Sequence, residues 1–300
     1  MRQEKLRNMS RGDAAFTVLT WILGALILLI IIYPLWYVVI SSFSDPDLVL
    51  NGKVWIVPLR PTLEGYQYLL GDAAIWLGYR NTIIYAVGGT TLSMLVTVPA
   101  AYALSRRDFK ARRPLMLFFL FTMYFSGGLI PTYLLISNTL GMSNTVWVMI
   151  IPFCLNVYNM IIVRSFFESS LPQDLWEAAQ LDGCSNTRFL VSIAIPLSKA
   201  VISVVMLYYL VGKWNEYFNA MMYLRDAKLS PLQLILRDIL LLNETMANST
   251  TGGEGFDASL RRATLVKYGS AIVGTLPMLI LYPFIQKYFE KGVMLGAVKG

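Results

Sequence analysis

Long apolar runs separated by shorter polar segments dominate the sequence. Six of these runs cover residues 18–40, 82–104, 115–136, 146–163, 197–217 and 268–285. Each approaches the length that a helix rising about 1.5 Å per residue needs to cross about 30 Å of hydrocarbon. The first run is too long for a signal-peptide core and lacks a small-residue cleavage site, so we expect it to be retained. The pattern predicts an all-α integral membrane protein with six transmembrane helices.

Basic residues predict how these helices are oriented, because lysine and arginine concentrate in short cytoplasmic loops. One group precedes the first run, a second follows the second run, and a third lies near the C-terminus. They are Arg2, Lys5, Arg7, Arg11, Arg106, Arg107, Lys110, Arg112, Arg113, Lys287, Lys291 and Lys299. An uncharged stretch at 137–144 suits an outer turn. Both termini are therefore expected in the cytoplasm.

This topology divides the chain into three parts. Residues 1–17 form a cytoplasmic N-terminal segment, 18–288 the six-helix transmembrane domain, and 289–300 a cytoplasmic tail. Within the domain we expect residues 165–196 in the cytoplasm and residues 221–267 outside. A multi-pass protein of the bacterial inner or plasma membrane is implied.

Composition supports a membrane protein and excludes several other classes. Of 300 residues, 56% are hydrophobic and 14% are charged, and the mean hydropathy is +0.56, whereas a soluble domain carries more charge. The net charge of +7 is explained by topology and does not indicate nucleic-acid binding. Histidine is absent, and Cys154 and Cys184 fall on different segments, so no metal site or disulfide framework is predicted. No glycine-rich phosphate loop occurs, and we expect no catalytic residue and no cofactor bound by this chain.

The segment EAAQLDGCSNTRFLVSIAIP, residues 177–196, is more polar than its surroundings. Pro172 and Asp174 mark a plausible helix start, because acidic groups are favoured in a first turn. Gly183 then breaks or bends the chain before a second short helix that reaches Pro196. Composition alone would also allow an ordinary amphipathic loop.

The ordered pattern E-A-A, three residues, glycine, nine residues and I-x-I-P resembles the EAA loop of binding-protein-dependent ABC importer permeases. Ile195 stands where leucine is usual, a change that preserves an apolar contact of similar volume. The resemblance implies a coupling helix that docks in a cleft of an ATPase subunit and passes its movement to the membrane helices. The residues carried over are Glu177, Ala178, Ala179, Asp182, Gly183, Ile193 and Pro196.

Other segments resemble the maltose-type carbohydrate-uptake permeases. QKYFEKGVMLGAVKG at 286–300 and KWNEY at 213–217 are of this kind. FSGGLIPTYLLISNTLGM at 125–142 and PLQLILRDIL at 231–240 are similar to the branch that handles polysaccharide fragments, including aldouronates and alginate oligosaccharides. The resemblance implies the transmembrane domain of a maltose-type ABC importer, which forms half of a translocation pathway.

The same resemblance implies a set of partners. One EAA loop supplies one docking site whereas an ATPase dimer offers two, so a second homologous permease is expected. The other partners are an ABC ATPase dimer that binds ATP and Mg, an extracytoplasmic solute-binding protein, an oligosaccharide substrate and membrane lipid.

The end of the fifth run provides candidates for the substrate path, namely Lys213, Trp214, Asn215, Glu216 and Tyr217. Lys213 and Glu216 share a helical face, and they either form a structural ion pair or line the path. The rings of Trp214 and Tyr217 offer faces on which a sugar could stack.

Two further features are open to more than one interpretation. Gly127, Gly128 and Pro131 interrupt the third run, either at a transport site or to allow close helix packing, and packing is preferred. Residues 231–242 are predicted to form an amphipathic helix, and residues 243–259, rich in Ser, Thr and Gly, are predicted to be flexible. In the related maltose system a loop in this position reaches into the solute-binding protein, and a plain surface loop is the alternative.

The sequence leaves open whether the substrate is acidic, and it allows more than one class of membrane protein. Lys213, Arg225, Lys228 and Arg237 would attract an acidic oligosaccharide, although Glu216, Asp226 and Asp238 lie close to them in the sequence. A six-helix secondary transporter is the main competing class, but internal repeats and midplane carboxylates are not clear in the sequence. A membrane-embedded enzyme lacks a convincing nucleophile and base.

Overall fold

The computed structural model describes residues 11–249 and 254–297, and every regular element within them is helical. The predicted all-α class is therefore confirmed. The predictions for Arg2, Lys5, Arg7 and Lys299 lie outside the described residues, as do those for the side chains of Arg11, Lys287 and Lys291.

The helices are α1 (Arg11–Ser42), α2 (Pro46–Leu50), α3 (Glu64–Gly71), α4 (Ala73–Ser105), α5 (Arg112–Tyr124), α6 (Leu129–Leu134), α7 (Trp147–Ile150), α8 (Val157–Ser170), α9 (Gln173–Leu181), α10 (Asn186–Phe189), α11 (Ile195–Leu197), α12 (Lys199–Trp214), α13 (Phe218–Tyr223), α14 (Leu232–Ser249) and α15 (Glu254–Ala297). Single π-helical turns at Leu135–Thr139 and Leu190–Ala194 extend α6 and α10, and a 3₁₀ turn covers Ala227–Leu229.

Three described helices are long and apolar enough to cross a membrane, in α1, α4 and α15. Two bent pairs have the length and composition of a span each, at 112–139 with a bend of 110° and at 186–214 with a bend of 87°. The predicted fourth span is divided between α7 and α8 by non-helical residues 151–156. The crossing of the membrane by six helices stays a prediction.

The break in the third predicted span lies at its two glycines. Helix α5 ends at Tyr124 and α6 begins at Leu129, and Gly128 between them has a φ of +89°, which L side chains rarely adopt. A Cβ at Gly127 would meet no atom of this chain within 4 Å, and one at Gly128 would meet only Pro131 Cδ at 3.9 Å. The predicted interruption is therefore present, and neither glycine packs closely against another helix of the described chain.

One compact unit comprises the described residues up to Gly71 and those from Ile239 to Val273. Within it, Arg261 of α15 gathers three carboxylates that precede or begin α2 and α3. Its guanidinium nitrogens lie 2.6 Å from Asp47 Oδ2, 3.1 Å from Glu64 Oε2 and 3.5 Å from Asp45 Oδ1. This ion-pair group holds the segment between α1 and α4 against α15.

The other unit comprises residues from Asp72 to Asp238 and the described residues from Gly274. Helix α4 packs along α8 and α12 in this unit. A buried hydrogen bond of 2.7 Å joins Thr97 Oγ1 of α4 to the Tyr209 hydroxyl of α12, and that hydroxyl also accepts the backbone N–H of Asn156 before α8. The three helices are thus linked by polar contacts as well as by packing.

Helix α14 extends beyond its predicted end. Residues 243–249 and 254–259 are helical, and the expected flexibility of 243–259 stays a prediction. Asn243 Nδ2 donates to the carbonyl of Ile239, and Thr245 Oγ1 donates to that of Leu241. Polar side chains that bond one turn back are compatible with a helix, so the polar composition of this stretch does not prevent a helix.

Candidate coupling site and transport path

Helix α9 of the EAA segment has a buried face and an exposed face. Trp176 and Ala179, three residues apart, are buried, whereas Glu177 and Ala178 are exposed. Leu181 at the end of the helix is 90% exposed, more than any other large apolar side chain of the described residues. The exposure of Leu181 was not predicted, because no motif position includes it.

The turn after α9 is a glycine-dependent helix cap. Gly183 has a φ of +73° and donates its N–H to Gln180 O at 2.9 Å, while Cys184 N–H donates to Ala179 O at 2.9 Å. This pair of bonds is the Schellman arrangement, with glycine at the left-handed position. The predicted bend at Gly183 is confirmed, and the exposed Asp182 precedes it.

The second half of the EAA segment returns the chain to the core. Ser185 caps α10, since its Oγ accepts the N–H of Arg188. A π turn follows, and within it Ile193 is half-buried and packs against the core. Pro196 is exposed in α11. The two short helices that the sequence predicted are present, with Glu177, Ala178, Asp182, Gly183 and Pro196 exposed and Ala179 buried.

An aromatic cluster lies behind α9. Trp176 meets Phe189 edge-on with ring centres 5.0 Å apart, and Phe189 stacks on Tyr102 of α4 at 6.2 Å. Phe167 of α8 contacts the same Tyr102 edge-on at 6.0 Å. The EAA segment is therefore packed against the ends of α4 and α8 by large apolar surfaces.

A cavity of about 620 Å³ opens beside this cluster, lined on one side by the arginine-rich turn after α4 and on the other by α9. Arg106, Arg107 and Arg112 face it together with Glu168 and Glu177. Glu168 is paired with Arg164 at 2.6 Å, and Glu177 Oε1 accepts a hydrogen bond from Gln173. The described residues contain no cluster of three or more potential metal ligands here or elsewhere.

The five candidate path residues are placed differently from one another. Helix α12 ends at Trp214, so Lys213 and Glu216 do not share a continuous helix. Lys213 Nζ donates to Met149 O at the end of α7, at 2.9 Å, and Glu216 Oε1 accepts the backbone N–H of Asn219. No ion pair joins Lys213 and Glu216 in the described structure, so the ion-pair alternative is wrong.

Neighbouring residues complete this arrangement. Gly89 of α4 lies under the Lys213 side chain, since a Cβ there would be 3.0 Å from Lys213 Cε. Trp214 is buried and its Nε1 donates to Gly274 O at 2.9 Å. Asn215 and Tyr217 are exposed, Tyr217 to 43%. Of the five candidates, Asn215 and Tyr217 are therefore the two with exposed side chains.

The turn before α14 is bound to α4 by four hydrogen bonds. Asn81 Nδ2 donates to Lys228 O and Ser230 O, the Tyr85 hydroxyl donates to Leu229 O, and Thr82 Oγ1 accepts the N–H of Leu232. Gly78 allows α14 to approach, because a Cβ there would lie 3.0 Å from Leu232 Cα. The start of α14 is therefore fixed on α4.

These features define a helical membrane protein with a short, glycine-capped helix whose outer face is exposed. Residues 73–295 match the family described as binding-protein-dependent transport system inner membrane component, and the chain belongs to this family. It is a permease subunit of an ABC importer and an inner-membrane, multi-pass component. The secondary-transporter alternative is not supported.

Several individual proteins are similar to the chain. Protein LplC of Bacillus subtilis (strain 168) is 37% identical over 271 residues, which are 90% of each chain. The polygalacturonan/rhamnogalacturonan transport system permease protein YtcP of the same organism is 37% identical over 91% of this chain and 94% of its own length. A crystal structure of a bacterial ABC transporter involved in the import of the acidic polysaccharide alginate superimposes with a TM-score of 0.82 at 32% identity, covering 94% of this chain and 99% of that chain.

Proposed function

We propose that this chain forms half of a translocation pathway for oligosaccharides, together with a second homologous permease. A solute-binding protein delivers the substrate, and a separate ATPase dimer binds ATP and Mg and supplies the energy. The chain itself binds no cofactor. The observation that carries the proposal is the two-sided α9, which is anchored by Trp176 and Ala179 and presents Glu177 and Leu181 outward.

The ATPase would bind the exposed face of α9 and its turn on the cytoplasmic side. Burial of one leucine side chain in a protein interface contributes about 2 kcal/mol, which makes Leu181 the main apolar contact. The carboxylate of Glu177 adds a charged group that selects the partner surface, because charges at an interface mainly determine specificity. The Schellman cap at Gly183 keeps these groups in place.

Replacement of Glu177 by Lys tests this assignment in the complete complex. Charge reversal is expected to reduce binding-protein-stimulated ATPase activity and uptake by about tenfold, and Glu177→Gln is expected to cause a smaller loss. Membrane insertion, measured by protease accessibility, should be normal in both variants. Full transport by Glu177→Lys would exclude the exposed face of α9 as the docking surface.

The partner arrangement has its own test. Two differently tagged copies of this chain are co-expressed with the partner permease and the ATPase, and the complex is purified by the two tags in sequence. A heterodimeric pathway predicts that the second step recovers no complex. Recovery of complexes that contain two copies of this chain and no other permease would contradict it.

We further propose that the substrate is an acidic oligosaccharide. Two of the similar proteins handle polygalacturonan/rhamnogalacturonan and alginate by name, and basic groups lie near α14. Arg237 is paired with Asp238 at 3.2 Å and Lys213 is bonded to a carbonyl, which leaves the exposed Arg225 and Lys228 as the stronger attractants for a carboxylate.

ATPase assays on reconstituted complexes distinguish an acidic from a neutral oligosaccharide substrate. Binding protein loaded with oligogalacturonate or alginate oligosaccharide should stimulate the ATPase more than a neutral oligosaccharide of equal length. Arg225→Gln combined with Lys228→Gln should lower the acidic response by about threefold and leave the neutral one unchanged. Equal stimulation by the neutral compound would remove the acidic preference and leave the oligosaccharide assignment standing.

A further inference from the structure

Arg106 lies directly behind the buried face of α9. Its guanidinium carbon is 3.9 Å from the centre of the Trp176 ring and 5.8 Å from that of Tyr102. At its edge, Nε and Nη2 donate to the two carboxylate oxygens of Asp108 at 3.1 and 3.3 Å. The Arg106 guanidinium is therefore held by the Trp176 ring against its face and by the Asp108 carboxylate at its edge. The Arg106 side chain is only 15% exposed.

The same residue ends α4. The backbone N–H of Arg106 donates to Ala103 O, and its extended backbone terminates the helix. Nearby, Arg164 of α8 donates from Nε to Leu104 O at 3.2 Å while it pairs with Glu168. The C-terminal end of α4 is thus held by one arginine from α8 and itself supplies the arginine that stacks on α9.

Apolar packing alone would not fix the angle between α9 and α4. The aromatic cluster resists separation of these helices, but hydrophobic contact is non-directional. A guanidinium that stacks on one ring and forms two hydrogen bonds to one carboxylate restrains both the distance and the rotation of α9 relative to the end of α4. A lysine ammonium lacks the planar group that makes both contacts possible. Arg106 is the described residue that adds this directional constraint between the end of α4 and Trp176.

We propose that Arg106 is a positioning residue that fixes the coupling helix to the end of α4. A displacement of α9 is then passed to α4 as the movement of one rigid body, and α4 carries it along its contacts with α8 and α12 to the region of Lys213. This proposal rests on the proposed docking of an ATPase at α9. Asp108 acts by holding the guanidinium over Trp176.

The test measures the distance between α9 and the far end of α4 in the complete complex with its partner permease and ATPase. Cys154 and Cys184 are replaced by Ser, and spin labels are attached at Gln180→Cys and Ala73→Cys. Distances are recorded by pulsed electron resonance without nucleotide and after trapping with ATP and vanadate. The parent complex is expected to give one narrow distribution in both states.

Arg106→Lys keeps the charge but loses the stacked fork, and Arg106→Gln loses both. Both variants should at least double the width of the distribution and lower the sugar transported per ATP by about fivefold, the factor for a partly desolvated cation–π contact. Arg107→Lys, in the same cavity wall, is the matched control and should change neither. Distributions in both Arg106 variants as narrow as that of the parent would overturn the proposal.

A third result separates this inference from the proposed function. If the parent complex carries no ATPase, or its ATPase is not coupled to uptake, the docking assignment itself is refuted and the positioning role with it. If the parent transports normally and the Arg106 variants match it, only the positioning role is refuted. Size-exclusion profiles of the Arg106 variants that match the parent show that assembly is intact, so a broadened distribution then reports the lost constraint.

Discussion

The EAA segment and the KWNEY segment both carry recognisable sequence patterns, but the structure uses them in opposite ways. In the EAA segment the motif residues Glu177 and Gly183 are exposed, and the segment is anchored by Trp176, which precedes the motif, and by Ala179 within it. In the KWNEY segment Lys213 and Trp214 are engaged in hydrogen bonds within the chain. A motif residue whose side chain is exposed is a stronger candidate for partner binding than one that is buried and bonded to another part of the fold.

The largest loss of ATPase binding is expected from substitution of Leu181 in the EAA segment. Leu181→Asp places a charge where we expect an apolar contact with the ATPase, and loss of about 2 kcal/mol corresponds to roughly thirtyfold weaker binding. ATPase co-purification and uptake measure the effect. Leu181→Met keeps the apolar volume and should bind nearly as well as the parent; equal loss in both variants would point to misfolding instead of docking.

A smaller loss is expected from strain in the turn after α9. Gly183→Val must adopt a left-handed backbone that costs an L residue about 1–2 kcal/mol, although no neighbouring atom would clash with its Cβ. Uptake should fall by about tenfold at that cost. Gly183→Asn is the control, because asparagine tolerates this conformation, and it should retain most of the uptake. An Asn variant as impaired as the Val variant would argue against the backbone explanation.

In the KWNEY segment, substitution of the internally bonded Lys213 is expected to lower stability, unlike the substitutions in the EAA segment, which affect ATPase binding and uptake. Lys213→Met leaves the carbonyl of Met149 without its donor and should lower the free energy of unfolding by about 1 kcal/mol, with similar losses for acidic and neutral substrates. Tyr217→Ala should leave the melting temperature unchanged and reduce uptake, because the exposed ring is available for a sugar. A Lys213→Met protein of normal stability that loses only the acidic response would assign Lys213 to the substrate.

The smallest effect concerns pH at the Arg106 contact. The hydrogen bond from Arg106 lowers the pKa of Asp108 below its ordinary value of 3.8. A lowered pKa in the folded state means that the contribution is fully present above pH 3.8 and is lost as the pH falls through the folded value. The melting temperature of Asp108→Asn should therefore lie slightly below that of the parent from about pH 7 to about pH 5, and the difference should disappear in stronger acid. A difference that disappears near neutral pH would contradict this origin.

These contrasts also show what the sequence could predict. Runs of apolar residues predicted helices because burial in hydrocarbon depends on composition over many residues, and α1, α4 and α15 match three of them. The break at 151–156 was not predicted, because the apolar content continues through it and only the backbone changes. The spacing of glycine after E-A-A did predict the bend at Gly183, since its backbone requirement is local.

The partners of individual side chains were less accessible from the sequence. Lys213 donates a hydrogen bond to the carbonyl of Met149, which is 64 residues away. The sequence suggested Glu216 as its partner instead, because the two residues are three apart, as neighbours on a helical face are. Arg106 was assigned to the positive cluster that sets topology, whereas its contact with Trp176 depends on where α9 returns to the end of α4. Long-range contacts of this kind require the fold.

Binding of an ATPase subunit to the exposed face of α9 can be measured by crosslinking. A photoreactive benzoylphenylalanine is introduced at Leu181 in the complete complex, with the same residue at the exposed Trp55 in the other unit as a control. After irradiation in membranes, we expect a crosslink to the ATPase from position 181 and none to the ATPase from position 55. Absence of that crosslink from position 181, with the ATPase captured from position 55 instead, would contradict it.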